Sequence, residues 1–598
     1  MISKRASTML LVLGCLLSFA CAAGCQAVFG EGGYARAGHV TLADLPPADQ
    51  AAIRSREAAA PDPVERGASL WRKGSNYERG GDFFAAMATY EEIRRTKSQP
   101  PGDLEERIQW CRARITVAER WDDADLLAGA KKMDLDQGLG LFREVARTVE
   151  DNYVDDPGYQ KLLQWGVMNL RAALASPEFA AAVGETTEAA RRAEFETGLD
   201  NLAKRIAAEN KITSFGARRY VREAADLAAR TAALPPGVVV SEFIFGAAEH
   251  LDPYSLYLTR RMFEDVMDDI TGKFVGLGVE VKEEDGRLTL VTVFEGGPAD
   301  KAGLKVGDQL VRADGVDLEK RGLNEAIKHL RGANGTPVAV TVRRGGEAGK
   351  ELTFTVKRGP VEVASVRGAA RLGAENAYGY VAVSAFQEDT GEELARALER
   401  LEKDGPGRPE GIVLDLRGNP GGLLDAAVDV CSLFLDQGVV LTTKGRGFDQ
   451  THTYRVNHWL CAYHDVPLVI MIDEHSASAS EIVAGALHDQ KRATLVGRRS
   501  YGKGVVQTIL PVEIGQSAVY LTTARYYGPA NESFQGVGIE PDEVVTAKVS
   551  EETAARHDPL QDAMLAKALE VLETKCQAEK ERRAAAPVAA LEAVRVGR

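Results

Sequence analysis

The chain has 598 residues, a formal net charge of -14, 45% hydrophobic and 27% charged residues. One hydrophobic core does not organise that length, so several domains are expected. The acidic balance argues against a nucleic-acid partner, which needs clustered Lys and Arg over one face, and assigns no function by itself.

At the start of the chain Lys4 and Arg5 precede an apolar run from Met9 to Ala20, and "CAAGCQ" follows. A charged start, a short apolar run and small residues read as an export signal over 1–25. The run is too short for a hydrocarbon core about 30 Å thick. The ending Ala22-Ala23-Gly24-Cys25 resembles the bacterial lipobox, in which Cys25 would carry the lipid. Ala22 stands where Leu is more usual, so a plain secretory signal is the alternative. Either way the protein is expected to be exported, to the periplasm or cell envelope, with a membrane anchor if Cys25 is lipidated. Three of the seven cysteines lie in this leader, and Cys111, Cys431, Cys461 and Cys576 form no CxxC pair. Metal-ligand spacing is therefore absent. Cys431 and Cys461 could pair in an oxidising compartment, but separate buried thiols are the default. No other segment approaches 18 consecutive apolar residues.

Residues 26–65 have no sustained period and read as a linker. From 66 to 250 the chain is rich in Ala, Leu, Glu and Arg and helical in pattern. Within it, "GSNYERGGDFFAAMATYEEIRR" has the spacing of one helical hairpin. The texture changes at about 268. "KFVGLGVEVKEEDGRLTLVTVF" alternates apolar and polar residues around an Asp285-Gly286 turn, and the span 268–358 is small, strand-rich and glycine-punctuated. Residues 360–550 alternate strands such as "YGYVAVSAF", "GIVLDLRG", "VPLVIMID" and "ATLVGRRS" with helices, which implies an α/β layer. Residues 551–598 read as a charged helical tail.

The densest chemical signal is "IDEHSASASEIVAGALHD", residues 472–489. A serine at a strand-to-helix turn projects its hydroxyl outward, and the free N–H groups of a helix start can bind an oxyanion. The plain alternative makes Ser476, Ser478 and Ser480 N-cap residues. His475 is too close along a turning backbone to serve Ser478. His488 is about 15 Å away along a helix. Lys503, flanked by Gly502 and Gly504 in "RRSYGKGVVQT", can serve as a base if burial lowers its pKa. "YGKG" lacks the glycine pattern of a nucleotide loop. On these residues alone a Ser–Lys pair is one reading and N-cap serines are the other.

"SASASEIVAGALHD" and "YGKGVVQT" together resemble the carboxy-terminal processing peptidases, the tail-specific proteases of peptidase family S41. The resemblance implies Ser478 as nucleophile, Lys503 as general base 25 residues later, and Gln507 as the group that holds the lysine. It also implies an oxyanion hole from Gly421 or Gly422, in "GIVLDLRGNPGGLLDAAVDV", with Ala479. The span 268–358 resembles a PDZ domain, whose carboxylate-binding loop would be Gly276, Leu277, Gly278 and Val279. "LDPYSLYLT", residues 251–259, resembles a structural motif before that domain, with Tyr254 in place of His. Asn531-Glu532 replaces a more usual Gly-Arg. The implied fold is multidomain α+β, with a helical N-terminal region, an inserted PDZ domain and a ClpP/crotonase-like α/β peptidase core. The implied activity is a serine endopeptidase that cleaves exported proteins at or near their C-termini and needs no metal or organic cofactor. Expected partners are unstructured C-termini, with a homo-oligomer or a helical-region adaptor also open. The rival reading is a catalytically silent envelope scaffold that binds C-termini. A lipase-type hydrolase lacks the G-x-S-x-G elbow.

Overall fold

The computed structural model describes Val12–Leu13 and residues 63–596, apart from 122, 185–188, 285, 320–322, 347–348, 447–450, 548–557 and 559. Cys25, all of the leader but Val12–Leu13, and nearly all of the linker 26–65 lie outside the described residues. The described residues divide into two compact units, one of residues 63–263 with 508–522, the other of Val12–Leu13 and residues 264–507 with 523–596. No helix among the described residues is long and apolar enough to cross a membrane.

The first unit is helical because its sequence supplies starts and an apolar centre. Asp82, Asp103, Asp123, Asp134, Ser176 and Thr213 each accept a backbone N–H at a helix start, as short polar N-cap side chains do. The expected hairpin is Pro63–Arg79 and Phe83–Arg95, joined through Gly80 and Gly81, and Leu104–Arg120 packs on it as a third helix. At the centre lies Pro236–Glu249, buried from Gly237 to Glu249 and packed by Gly158–Leu174, Leu135–Asn152 and Ser214–Thr231. Its crossing with Gly158–Leu174 is a backbone contact. A Cβ on Gly246 would lie 2.6 Å from the Gly166 amide nitrogen, and one on Gly166 would lie 2.3 Å from the Phe243 ring. A fully buried cation held against this helix is shared between two of its carboxylates. Arg120 pairs with Glu242 at 2.8 Å and Glu249 at 2.5 Å, and its guanidinium lies 3.7 Å from the Phe245 ring centroid. In "LDPYSLYLT", Asp252 accepts the N–H groups of Tyr254 and Ser255 at 2.7 Å, a turn that leads into strand Leu256–Leu258. That strand pairs antiparallel with residues 518–520.

In the second unit, the expected PDZ span is an antiparallel sheet in the order Val279–Glu284, Arg287–Val293, Gln309–Ala313, Pro337–Arg344, Lys350–Lys357. The first two strands pair antiparallel with Glu284 opposite Arg287, while Asp285 of the expected Asp-Gly turn lies outside the described residues. Gly359–Glu362 pairs with Lys273–Gly276, so the chain enters and leaves the domain side by side. The α/β layer has the strand order Val366–Leu372, Tyr378–Val383, Gly411–Asp415, Leu468–Ile472, Ala493–Gly497 and Glu543–Val544. All its pairs are parallel except the first. Gly411–Asp415 and Leu468–Ile472 are buried throughout, as central parallel strands are. The stretch expected as a tail contains the helix Ala563–Val596, whose Met564, Leu565, Ala568, Leu572 and Cys576 join the core of this sheet. Cys431 and Cys461 are separate thiols, as are Cys111 and Cys576.

The glycine crossing sets a stability test. Gly246→Ala should lower the unfolding free energy of the helical unit by about 1–3 kcal/mol through overpacking. Gly129→Ala, where a Cβ meets nothing within 4 Å, should raise it by roughly 0.5–1 kcal/mol through helix propensity. Urea titrations of the two variants read both signs.

Candidate active site

The site forms where the chain leaves the C-terminal ends of neighbouring parallel strands, the place where open α/β sheets hold ligands. Leu468–Ile472 ends at Asp473, and the helix Ala479–Asp489 begins six residues later. Three side chains of the turn and the helix start are bound to the loop that follows Gly411–Asp415. Asp473 accepts the Gly418 N–H at 3.0 Å, Ser476 Oγ donates to the Leu416 carbonyl at 2.7 Å, and Ser480 Oγ donates to the Asn419 carbonyl at 2.9 Å. Asn419 is fully buried. Its amide donates to the Val383 carbonyl at 2.7 Å, and its Oδ1 accepts the Gly421 N–H at 2.8 Å. The flanking serines are thus structural, and Ser478 between them is left for another task.

Ser478 stands at φ 55 and ψ -112, a left-handed backbone that a side-chain-bearing residue rarely adopts. Such strain persists only where the surroundings over-determine it, at a cost of about 1–3 kcal/mol. Its Oγ is buried and has no hydrogen-bond partner among the described residues, Lys503 included. Gly421 lies against it. A Cβ on Gly421 would sit 2.8 Å from Ser478 Cβ and 3.0 Å from the Ala479 nitrogen. Gly422 belongs to another contact, a bridge to Phe386 in which the Gly421 carbonyl and the Leu423 N–H take part. The N–H of Gly421 is therefore engaged with Asn419, whereas those of Gly422 and Ala479 meet no backbone carbonyl among the described residues.

Lys503 lies between Ala493–Gly497 and Val505–Val512 and is 1% exposed. Its loop is held from two directions. Gly502 has φ 94 and leaves no room for a Cβ beside the Gly538 nitrogen at 2.8 Å, and the Gln535 side chain accepts the Gly504 N–H at 2.6 Å. The Tyr526 hydroxyl donates to the Lys503 carbonyl. Gln507 is fully buried on the strand that follows.

The residue that joins the two segments was not among the sequence candidates. Glu481 is fully buried, and its Oε2 accepts the N–H of Ser478 at 2.8 Å and that of Lys503 at 2.9 Å. Its Oε1 accepts the Gly502 N–H at 2.7 Å and the Ser500 hydroxyl at 2.6 Å. Burial pushes this carboxyl up to about 7, against the four donors, which hold it down. The signal for it in the sequence is the Ser-x-x-Glu spacing of a capping box, which accounts for one of its four bonds. A second polar knot, also unpredicted, underlies the loop. Arg417 pairs with Asp415 at 2.6 Å and with Asp562 at 2.8 Å, and the Tyr380 hydroxyl donates to Asp415 at 2.7 Å. His488 faces Asp542 at 3.0 Å from the far end of the helix.

The PDZ loop residues lie where the domain's edge begins. Leu277 is buried in the domain core, its carbonyl accepts the Ala299 N–H, and Gly278 has φ 76. Val279–Glu284 pairs only with Arg287–Val293, so its other side is an open strand edge among the described residues.

Residues 377–545 match the model of peptidase family S41, and residues 290–344 match that of the PDZ domain. A carboxy-terminal-processing protease of Bartonella bacilliformis is 40% identical over 316 residues, which is 52% of this chain and 71% of that protein. A probable CtpA-like serine protease of Staphylococcus aureus is 35% identical over 291 residues, 49% of this chain and 56% of its own length. Among solved structures, a photosystem II D1 C-terminal processing protease aligns at 24% identity and a TM-score of 0.36, covering 70% of this chain and 96% of its own. The chain belongs to peptidase family S41 and is a PDZ-containing serine peptidase of the carboxy-terminal-processing kind.

Proposed function

We propose that Ser478 and Lys503 form the catalytic dyad of an endopeptidase that cuts polypeptides near their C-termini. The observation that carries this reading is the strained backbone of Ser478, joined through one buried carboxylate to the backbone of Lys503. Neutral Lys503 takes the proton of Ser478 Oγ as the oxygen attacks the peptide carbonyl. The resulting charged lysine gives that proton to the leaving amine, and an acyl-enzyme remains. A water activated by the same lysine then releases the shortened chain. Gln507, on the adjoining strand, orients the lysine. The free N–H of Ala479 and the Gly421–Gly422 turn beside it meet the oxyanion, and Gly422 is the better glycine donor because Gly421 already serves Asn419. Each such donor contributes about 3–4 kcal/mol to the lowering of the barrier. Since Ser478 Oγ makes no hydrogen bond here, substrate binding must bring Lys503 Nζ within reach, as catalytic contacts often tighten only in the complex.

The PDZ domain captures the substrate tail. The Gly276–Val279 loop offers backbone N–H groups to a terminal carboxylate, and the open edge of Val279–Glu284 takes the extended tail as an added strand. Export belongs to the same proposal, with Cys25 as the anchor.

Ser478→Ala and Lys503→Ala should each abolish labelling by a fluorophosphonate probe while wild type is labelled; labelling of Ser478→Ala would place the nucleophile elsewhere. Glu481→Asp keeps the charge but shortens the bridge, and kcat/KM should fall about 10²-fold with the fold intact by circular dichroism. A protonated Glu481 must set a hydrogen against one of its own donors, so activity should decline as the pH drops through about 7; a flat profile from pH 8 to 5 contradicts this role. For the PDZ step, amidation of a substrate's terminal carboxylate should raise KM about tenfold, the loss of one charge-assisted hydrogen bond, with kcat little changed. Cys25→Ser should move the protein from the membrane to the soluble fraction of its host, and an unchanged distribution removes the anchor.

A further inference from the structure

The loop 500–504 runs between Ala493–Gly497 and Val505–Val512 and belongs to neither strand. Each of its N–H groups nevertheless has an acceptor. Ser500 donates to the Ile539 carbonyl at 3.1 Å and Tyr501 to the Ser476 carbonyl at 3.0 Å. Gly502 and Lys503 donate to Glu481, and Gly504 donates to Gln535 Oε1 at 2.6 Å. The carbonyls around the lysine are held as well. That of Gly502 accepts the Gly536 N–H at 2.7 Å, that of Lys503 accepts the Tyr526 hydroxyl, and that of Gly504 accepts the Tyr526 N–H at 3.1 Å. Buried backbone groups need partners everywhere, but a regular strand would have supplied these without spending three side chains on them.

The partners come from two sides. One is the nucleophile's segment, through Ser476 and Glu481. The other is Tyr526 with the arm 534–539, which reaches the loop before and after the lysine. A Cβ on Gly504 would lie 2.8 Å from the Gln535 nitrogen, and one on Gly502 would lie 2.8 Å from the Gly538 nitrogen, so the arm and the loop pack backbone to backbone. The rings of Tyr526 and Phe534 meet edge to face with centroids 4.8 Å apart, which ties Tyr526 to the arm. Tyr526 is buried, whereas Gln535 lies at the surface.

A lysine carries its nitrogen on a flexible four-carbon stem. Here the stem starts from a backbone with glycine on both sides, and Gly502 stands at φ 94. Glycine gives a free chain its widest range of conformations. A general base, however, must come within about 2.6–3.2 Å of the group it deprotonates, and a misplacement of about 1 Å can cost roughly 10²-fold in rate. The freedom of the loop has to be removed by the bonds around it.

We propose that Gln535 and Tyr526 are positioning residues for the base. They fix the Lys503 carbonyl and the N–H that follows it, so that the lysine side chain starts from one place. The proposal rests on the reading of Lys503 as general base. Neither residue is required to touch substrate or to move a proton; each acts through the lysine.

The test labels the full chain with the fluorophosphonate probe, which needs an activated Ser478 but no knowledge of the natural substrate. Gln535→Met keeps the length and loses the acceptor. Its limiting labelling rate should fall about tenfold, with the half-saturating probe concentration and Tm little changed. Gln535→Glu restores an acceptor for the Gly504 N–H and should return the rate to within about twofold of wild type. Tyr526→Phe should also fall about tenfold, and the double variant by less than roughly a hundredfold, because both groups hold one peptide unit. Labelling of Gln535→Met and Tyr526→Phe at the wild-type rate overturns the proposal. So does a rate that falls only in step with Tm and does not recover in Gln535→Glu, which would make the arm a support for the fold. Lys503→Ala separates this proposal from the dyad. If it is silent while Gln535→Met labels normally, the positioning role alone fails; if it is labelled, the dyad reading fails too.

Discussion

The geometry of the candidate site depends on one buried carboxylate. Glu481 receives four hydrogen bonds, and they come from both sides of the site: Ser478 from the helix start, and Ser500, Gly502 and Lys503 from the glycine loop. No direct bond joins the Ser478 hydroxyl to the lysine here, so the two segments are held in register by this shared acceptor. A charged acceptor is suited to the task. Its bonds are roughly twice as strong as neutral ones, and it cannot be removed without leaving several buried N–H groups unpaired, each costing about 1–3 kcal/mol. The same burial that strengthens the bonds also makes the charge expensive, which is why the carboxyl is pushed up to about 7.

The strained backbone at Ser478 follows from that arrangement. A left-handed residue with a side chain needs neighbours that fix it from every direction. Ser476 and Ser480 are tied to the adjacent loop, the Ala477 N–H donates to the Asn419 carbonyl at 3.1 Å, and Glu481 holds the Ser478 amide. Gly421 then approaches to within a distance that no Cβ permits. Small residues on either side of Ser478 are therefore required by sterics and hydrogen bonding together. The turn reproduces the sharp strand-to-helix elbow of unrelated hydrolases without the two glycines that usually mark it. Serines that bury their hydroxyls against a second loop do the same work.

Period-two alternation located the strands of the PDZ span, apolar runs between helical ones located those of the α/β layer, and the small residues around Ser478 and Lys503 left a Ser–Lys pair as one of two readings until the resemblance to the S41 peptidases singled it out. These are local signals. Glu481 was readable only as half of a capping box, because its other three bonds reach residues 19 to 22 positions away in the chain. Gln535 and Tyr526, which clamp the lysine loop, lie still further along, and nothing in their local pattern marks them. The C-terminal helix was closer to legible. Met564, Leu565, Ala568, Leu572 and Cys576 fall on one face, but charged and Ala-rich neighbours dilute that stripe until it reads as a solvated tail. Which N–H of the Gly421–Gly422 turn is already occupied is likewise a property of the fold alone.

Residues 63–250 lie outside both family matches, and their physical design is that of a body in its own right. A connecting arm needs no interior, yet here thirteen consecutive residues of the central helix are buried, two glycines bring helices into backbone contact, and Arg120 is enclosed with two glutamates. A buried charge set of that kind adds little net stability. It does specify which helices meet, because each partner left alone would be an uncompensated charge. Rigid packing of this kind also fixes what remains at the surface. The helices that pack the core on one face present Trp110 and Trp165 on another, and those rings stay half in water because no further helix covers them. Leaving large aromatic surface wet forgoes about 25 cal/mol for every Å² exposed.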